Sequence, residues 1–127
     1  PRCTSTRARA LVPYSLHPFR CALIRLLRHD NLLLQLDGKK TILLWPPSSS
    51  KNFYMDFHDR WGLSPMHVDR VDLNVFPLFE HTKGMLVATV SKGDAVLIPD
   101  GWWHQVRSHP GRNVAVTLEI EPHEGLM

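Results

Sequence analysis

Six short apolar runs mark this sequence from residue 31 onward, and glycine, proline or serine lies between each run and the next. Runs of four to eight residues bounded by such breaks are typical of buried strands. We therefore predict strands at residues 31–36, 40–45, 85–90, 95–98, 102–106 and 113–120. Asp37-Gly38, between the first two, predicts a hairpin turn. Residues 51–84 show no period and predict a long irregular excursion with one helical turn. Short strands with glycine and proline corners favour an all-β sandwich or barrel.

The fifth predicted strand carries a histidine. Alternation places Trp102, His104 and Val106 on one face of this strand and Trp103 with Gln105 on the other. A histidine between apolar neighbours on one face points either into a packed core or into a metal pocket, and the residues alone leave both readings open. The two tryptophans are expected to pack in the core and at its rim, without chemistry of their own.

Charge is spread unevenly along the 127 residues, although the net charge is only +3. Residues 1–28 hold six arginines and no lysine, aspartate or glutamate, whereas residues 29–127 have a net charge of −3. An arginine-rich, acid-free segment has the composition of an organelle transit peptide, and a disordered or poorly determined end of the chain is the plain alternative. The two cysteines, Cys3 and Cys21, do not suggest a disulfide framework. The sequence has no apolar run of membrane-spanning length.

Three segments are therefore predicted: an arginine-rich segment at 1–28, one β domain at 29–122 and a short tail at 123–127. The chain begins at Pro1 rather than at a methionine, so we expect it to be a fragment. The arginine-rich character stops abruptly at Arg28. We accordingly expect residues 1–28 to derive from a different exon, reading frame or splice choice.

Four blocks, in order, resemble the JmjC/cupin-8 group of double-stranded β-helix proteins, over about residues 31–120. They are Asn31-Leu32-Leu33-x-Gln35-x-x-Gly38-x-Lys40, Trp45-Pro46-Pro47, Val71-Asp72-x-Asn74-x-x-Pro77-x-Phe79, and the stretch from Gly93-Asp94 to His104. The resemblance implies a partial jelly-roll or cupin-like barrel. It also implies the activity of the group, which is that of Fe(II)- and 2-oxoglutarate-dependent oxygenases.

The resemblance also implies roles for particular residues. His104 matches the distant histidine of the iron-binding facial triad. Lys40 matches the lysine that pairs with the far carboxylate of 2-oxoglutarate, and Asn31 matches an asparagine near the same cosubstrate. Thr117 stands where the family tends to have another cosubstrate-side asparagine. Without the resemblance, Lys40 would be an ordinary charge beside a turn, like Lys39, and Asn31 a strand cap.

The rest of the expected triad is missing. The family pattern His-x-Asp-x-x-x-Asn, counted back from Asn31, places Arg25 at the histidine position and Leu27 at the carboxylate position. Neither residue is a normal iron ligand, because guanidinium stays protonated and leucine has no donor atom. The pair His67 and Asp69 has ligand spacing but lies in the excursion. Other histidines are expected in loops or at the surface: His17, His29 beside Asp30, His58 beside Asp59, His81, His109 and His123.

Three functions are open at this point. The first is a JmjC-type oxygenase, a hydroxylase or demethylase, with Fe(II) and 2-oxoglutarate as cofactors and an unidentified protein or nucleic-acid substrate. The second, favoured by Arg25 and Leu27, is a non-catalytic cupin-like scaffold or interaction domain without cofactors. The third, a cupin-type isomerase, needs more inward histidines. We expect an intracellular protein, cytoplasmic or nuclear with organellar import as an alternative, that has no membrane partner and forms a homodimer through exposed strand edges.

Overall fold

Eight strands and three short 3₁₀ helices make up the computed structural model, which describes residues 7–10, 24–26, 29–55 and 62–120. The 3₁₀ helices lie between β4 and β5, at Pro47–Phe53, Val68–Arg70 and Pro77–His81. The strands are β1 (Arg7–Ala10), β2 (Arg25–Leu26), β3 (Asp30–Asp37), β4 (Lys39–Trp45), β5 (Leu86–Ser91), β6 (Ala95–Ile98), β7 (Trp103–Ser108) and β8 (Val114–Ile120). Strands β3 to β8 confirm the six predicted ones, with ends that shift by one or two residues.

The strands form two four-stranded antiparallel sheets. Sheet I has the order β1-β8-β3-β6, and sheet II has the order β2-β7-β4-β5. The prediction of an all-β, jelly-roll-like fold is confirmed. Two of the strands, β1 and β2, lie within the arginine-rich segment 1–28, whose remaining residues are outside the described part apart from Ile24. No helix in the described part of the chain is long and apolar enough to cross a membrane.

The hairpin predicted at Asp37-Gly38 is wrong, because β3 and β4 belong to different sheets. Gly38 has a φ of 74° and lies so close to the Arg112 carbonyl that a Cβ would collide with it. The chain therefore does reverse at this glycine, but it reverses across the sandwich. An Asp-Gly pair specifies a tight change of direction, whereas long-range burial decides which strands pair.

A core cluster fills the space between the sheets. It consists of Leu33 and Ile98 from sheet I with Ile42, Leu44 and Val90 from sheet II. Trp102 and Val106 pack against this cluster, whereas Trp103 is fully buried on the other face of sheet II. The alternation predicted for this segment is thus confirmed.

The excursion covers the outer face of sheet II. It contains three 3₁₀ helices rather than the one predicted turn, and residues 56–61 within it lie outside the described part. Its apolar side chains form a second core cluster with the outward residues of sheet II: Ile24, Leu43, Trp45, Phe53, Met66 and Trp103. An apparently irregular segment therefore acts as a packed layer.

Candidate functional site

His104 lies on β7, on the face that turns toward the space between the sheets. Its register partners are Leu44 on β4 and Arg25 on β2. Leu44 belongs to the inner core cluster, and register partners in an antiparallel pair share a face of the sheet. The histidine predicted as a metal ligand is therefore placed on the inner face and is partly buried.

Position 25 lies directly beside His104 in the sheet. Arg25 pairs with His104, and Leu26 pairs with Trp103. A donor at position 25 would share the sheet face of His104, as a chelating pair requires. The residue there is an arginine, whose guanidinium offers no lone pair to a metal ion. Leu27 lies outside the described residues.

Lys40 lies on β4, also on the inner face, with Val90 and Ser108 as register partners. Its Nζ donates a hydrogen bond to Ser108 Oγ at 2.6 Å. Burial lowers the pKa of the Lys40 ammonium below its ordinary value. Among the described residues no ion pair involves Lys40, so its charge is balanced by a hydroxyl dipole alone. The neighbouring Lys39 is exposed, so the two lysines differ in their surroundings.

Asn31 and Thr117 lie on the facing sheet. Asn31 is 8% exposed, and its Oδ1 has no hydrogen-bond partner among the described residues. Thr117 is the register partner of Leu33, a member of the inner cluster, and so lies on the inner face of sheet I. The four predicted site residues therefore all belong to inner faces, two on each sheet.

The histidine and the lysine are nevertheless separated along the sheet. Lys40 lies four residues before Leu44, the partner of His104, which corresponds to roughly 13 Å along the strand. Ile42, with no exposed surface, lies between them. The inner face thus has a histidine end and a lysine end.

The alternative carboxylate and histidine pairs do not combine with His104. Asp69 forms an ion pair with Arg107, and His67 is exposed beside it. His29 and Asp30 are exposed, and Asp30 Oδ1 accepts a hydrogen bond from the Asp100 N–H at 2.8 Å. His109 bonds to Thr41 Oγ1 at 2.9 Å, and His81 is also exposed. The remaining candidates lie outside the described residues: His17, His58, Asp59 and His123.

Among the residues that the structure describes, the donor set around His104 does not fit an iron ion. Within residues 7–10, 24–26, 29–55 and 62–120, no three histidine, cysteine, aspartate or glutamate side chains are grouped closely enough to hold a metal. A facial triad needs two histidines and a carboxylate. Here one histidine faces a register position that holds arginine.

Two polar residues near the lysine end have roles that were not predicted from the sequence, although Gln35 belongs to the first sequence block. Ser108 shares the face of His104 by the same alternation, so extending the pattern by four residues would have found it. Gln35 is 1% exposed, and its Nε2 donates hydrogen bonds to Asn113 Oδ1, at 2.8 Å, and to the Asp37 carbonyl. The glutamine of the first sequence block thus holds the chain reversal at Gly38 in place.

Comparisons with known proteins agree with this architecture. The sequence model of the Cupin-8 family, described as a cupin-like domain, matches residues 27–118, which is most of the chain. The match starts immediately after β2 and ends within β8.

Three of the proteins that are similar in sequence are described here by their identity to this chain and by the share of each chain that is covered. The chain is 39% identical over 83 residues to lysine-specific demethylase JMJ31 of Arabidopsis thaliana, covering 63% of this chain and 15% of the relative. It is 31% identical to HSPB1-associated protein 1 of Mus musculus, covering 74% of this chain and 20% of the relative. It is 32% identical to the human tRNA wybutosine-synthesizing protein 5, covering 62% and 24% respectively. The chain therefore spans less than a quarter of the length of these relatives.

Proposed function

The chain belongs to the cupin-like domain family, and we propose that it is a domain of oxygenase type that does not itself bind catalytic iron and acts as a scaffold or interaction domain. Its relatives include a protein named as a lysine demethylase and one named for tRNA wybutosine synthesis. Their substrates differ in chemical class. Family membership alone consequently assigns no substrate to this chain.

The observation that carries the proposal is the register between Arg25 and His104. Two ligands on adjacent antiparallel strands can chelate one ion only if they share a face, and this register supplies such a pair of positions. Arginine at one of them cannot serve as a ligand, because its guanidinium stays protonated and has no lone pair to offer. Leucine at position 27 supplies no carboxylate either.

The lysine end retains the features of an anion site. Lys40 has a hydroxyl partner and no carboxylate partner among the described residues, and burial lowers its pKa. An anion that entered this end of the interior would gain a charge-assisted hydrogen bond. This supports the second candidate function, an active 2-oxoglutarate-dependent oxygenase, which would need ligands other than positions 25 and 27.

Metal binding distinguishes the two candidates. The full chain is loaded with Fe(II) under anaerobic conditions, dialysed and measured for bound iron, and is then exposed to O2 and measured for conversion of 2-oxoglutarate to succinate and CO2. We expect substoichiometric iron and no succinate from the wild-type chain. The double variant Arg25→His/Leu27→Asp should bind roughly one iron per chain, because it completes a triad with His104.

Two control variants test whether His104 is the histidine that binds the iron. Adding His104→Ala to the double variant should abolish iron binding, whereas adding His109→Ala, at an exposed histidine, should not. Stoichiometric iron and succinate formation in the wild-type chain, both lost on His104→Ala, would establish the oxygenase instead. A folded double variant that binds no iron would show that positions 25 and 27 are not the lost ligand positions.

A further inference from the structure

Lys40 differs from the other four lysines of the chain in its surroundings. All five lysines lie within the described residues, and Lys39, Lys51, Lys83 and Lys92 are exposed. Lys40 is partly buried on the inner face of sheet II. The strand register therefore places one amine of this chain at the space between the two sheets.

The side chains that share this part of the interior with Lys40 carry no charge. Its register partner Val90 is 4% exposed, and Ile42, two residues further along the same face, has no exposed surface. Gln35, on the inner face of the facing sheet, is 1% exposed and uncharged. An ammonium group among such neighbours loses hydration without gaining an opposite charge, which costs free energy.

The hydrogen-bond partner of Lys40 among the described residues is a hydroxyl group. Nζ donates to Ser108 Oγ at 2.6 Å, and no ion pair within the described part of the chain includes Lys40. A hydroxyl suits the uncharged amine as well as the ammonium, because it can donate to the first and accept from the second. Burial without an ion pair accordingly favours the uncharged amine and lowers the pKa of Lys40.

We propose that Lys40 is a covalent binding site for short aliphatic aldehydes, which its amine captures as a Schiff base. The uncharged amine is the nucleophile in this reaction, and lysines in apolar surroundings are the ones that serve this purpose in enzymes. Nζ attacks the carbonyl carbon to form a carbinolamine, which then loses water to form a C=N double bond. The two hydrogens of the amine leave with the carbonyl oxygen as water, so the step needs no oxidant, reductant or metal.

The surroundings of Lys40 also favour this class of ligand. Ile42 and Val90 offer contacts to a short alkyl chain, and Val106, the register partner of Ile42, packs against the same core cluster. A 2-oxo acid would bring a carboxylate, for which none of these neighbours supplies a positive charge. The proposal goes beyond the proposed function, because it needs neither iron nor the residues at positions 25 and 27.

Reductive trapping on the full chain tests the proposal. The folded protein is incubated at neutral pH with butanal and sodium cyanoborohydride, which reduces a Schiff base to a stable secondary amine. Mass spectrometry of chymotryptic peptides, with fragmentation between residues 39 and 40, assigns each butyl group to its lysine. We expect the initial rate of labelling at Lys40 to exceed the rate at Lys39 by at least about threefold.

Two serine variants separate the reactivity of the amine from its exposure. Ser108→Asp places a carboxylate beside Lys40 and holds it as the ammonium, so labelling at Lys40 should fall by at least about threefold. Ser91→Asp is the matched control, because Ser91 is the register partner of Lys39, and it should leave labelling at Lys40 unchanged. Circular dichroism checks folding. If Ser108→Asp is unfolded, the wild-type chain in guanidinium chloride replaces it, and the preference for Lys40 should vanish there.

Four outcomes overturn the proposal. The first is labelling at Lys40 that is equal to or slower than labelling at Lys39. The second is a preference for Lys40 that persists in Ser108→Asp or in the denatured chain, and the third is an equal loss in both serine variants. The fourth is faster trapping of 2-oxoglutarate than of butanal at Lys40, which would show a site for anionic ligands. Iron content, measured on separate untreated samples, reports on the proposed function independently.

Discussion

The outer faces of the two sheets begin from the same sequence pattern and end differently. Both β3 and β4 carry large apolar residues on their outward side, such as Leu34 and Trp45. On sheet II the chain turns at Pro46-Pro47 and crosses back over the sheet, so Trp45 is 2% exposed. On sheet I the described chain supplies no such layer, and Leu97 stays 53% exposed. An outward apolar residue thus becomes buried or stays exposed according to the connection that follows its strand.

Aromatic contacts hold the cover on sheet II. The ring of Phe53 lies 5.2 Å from the ring of Trp45 and 5.0 Å from that of Trp103, measured between centroids. Trp103 Nε1 donates a hydrogen bond to Ser50 Oγ at 2.9 Å. Ser64 Oγ donates to the Phe53 carbonyl at 2.8 Å and so links the second half of the excursion to the first. The cover is therefore specified by packing and by hydrogen bonds together.

The largest predicted effect is that of removing the centre of this cover. Trp103→Ala should lower the free energy of unfolding by about 3–5 kcal/mol, because it leaves a cavity beside Phe53 and removes the hydrogen bond from the indole to Ser50 Oγ. Urea unfolding followed by circular dichroism measures the loss. Leu97→Ala on the exposed outer face of sheet I should cost less than about 0.5 kcal/mol. Similar costs for both variants would mean that the two faces are equally packed.

A smaller effect is expected at the ion pair that ties the excursion to β7. Arg107 pairs with Asp69 and also donates to Gln105 Oε1. Asp69→Ala should destabilise the fold by about 0.5–1 kcal/mol, since both charged side chains are partly exposed. The comparison variant is Arg112→Ala, which removes an ion pair on the sheet I side at a more exposed arginine and should change stability by less. A larger effect for Arg112→Ala would show that the ion pair of Arg112 with Asp37 stabilises the fold more than the ion pair of Arg107 with Asp69 does.

The last prediction concerns how the free energy of unfolding changes with pH. It tests whether sheet II is packed on its inner face as well. Burial lowers the pKa of Lys40 below its ordinary 10.5, so the unfolded chain holds this proton more tightly than the folded chain does. Stability should therefore rise with pH between the folded value and 10.5, and this contribution is lost again as the pH falls through the folded value.

Lys40→Met should abolish that alkaline rise and increase the stability at neutral pH, because no charge is then buried. Lys39→Met is the matched control, since Lys39 is exposed on the neighbouring position of the same strand. Urea midpoints of both variants, measured from about pH 7 to 10.5, give the slopes. If the rise persists in Lys40→Met, a different group produces it and the inner face is more hydrated than its packing suggests.

Much of the strand pattern could be predicted because it is local. Alternation around His104 placed Trp102 and Trp103 on opposite faces, and the structure confirms this. The same reasoning failed at Gly38, because the turn residues report a reversal of direction and the choice of partner strand depends on burial across the sandwich. The cover on sheet II was not predictable for a related reason. The excursion is packed on sheet II through the contact between Phe53 and Trp103, which are fifty positions apart in the sequence.

In the candidate site too, some features could be predicted from the sequence and others depend on which strands pair. The sequence blocks placed His104, Lys40 and Asn31, and the structure gives all three to the inner faces. What the sequence could not give is the neighbour of each residue. Ser108 as the partner of Lys40 depends on the pairing of β4 with β7, and Arg25 beside His104 depends on the pairing of β2 with β7.

The position of β8 has a consequence for how this protein is made. Strand β8 lies between β1 and β3 in sheet I, yet among the described strands it comes last along the chain. Until Val114–Ile120 leaves the ribosome, β3 has a vacant edge, and the pairing of Leu32 with Leu118 must close a loop of more than eighty residues. Folding dominated by such distant pairings is slow, and vacant edges attract other chains in the meantime. Sheet I is therefore completed only after Val114–Ile120 has been synthesised, and nascent chains of this protein should depend on chaperones more than chains with local pairings do.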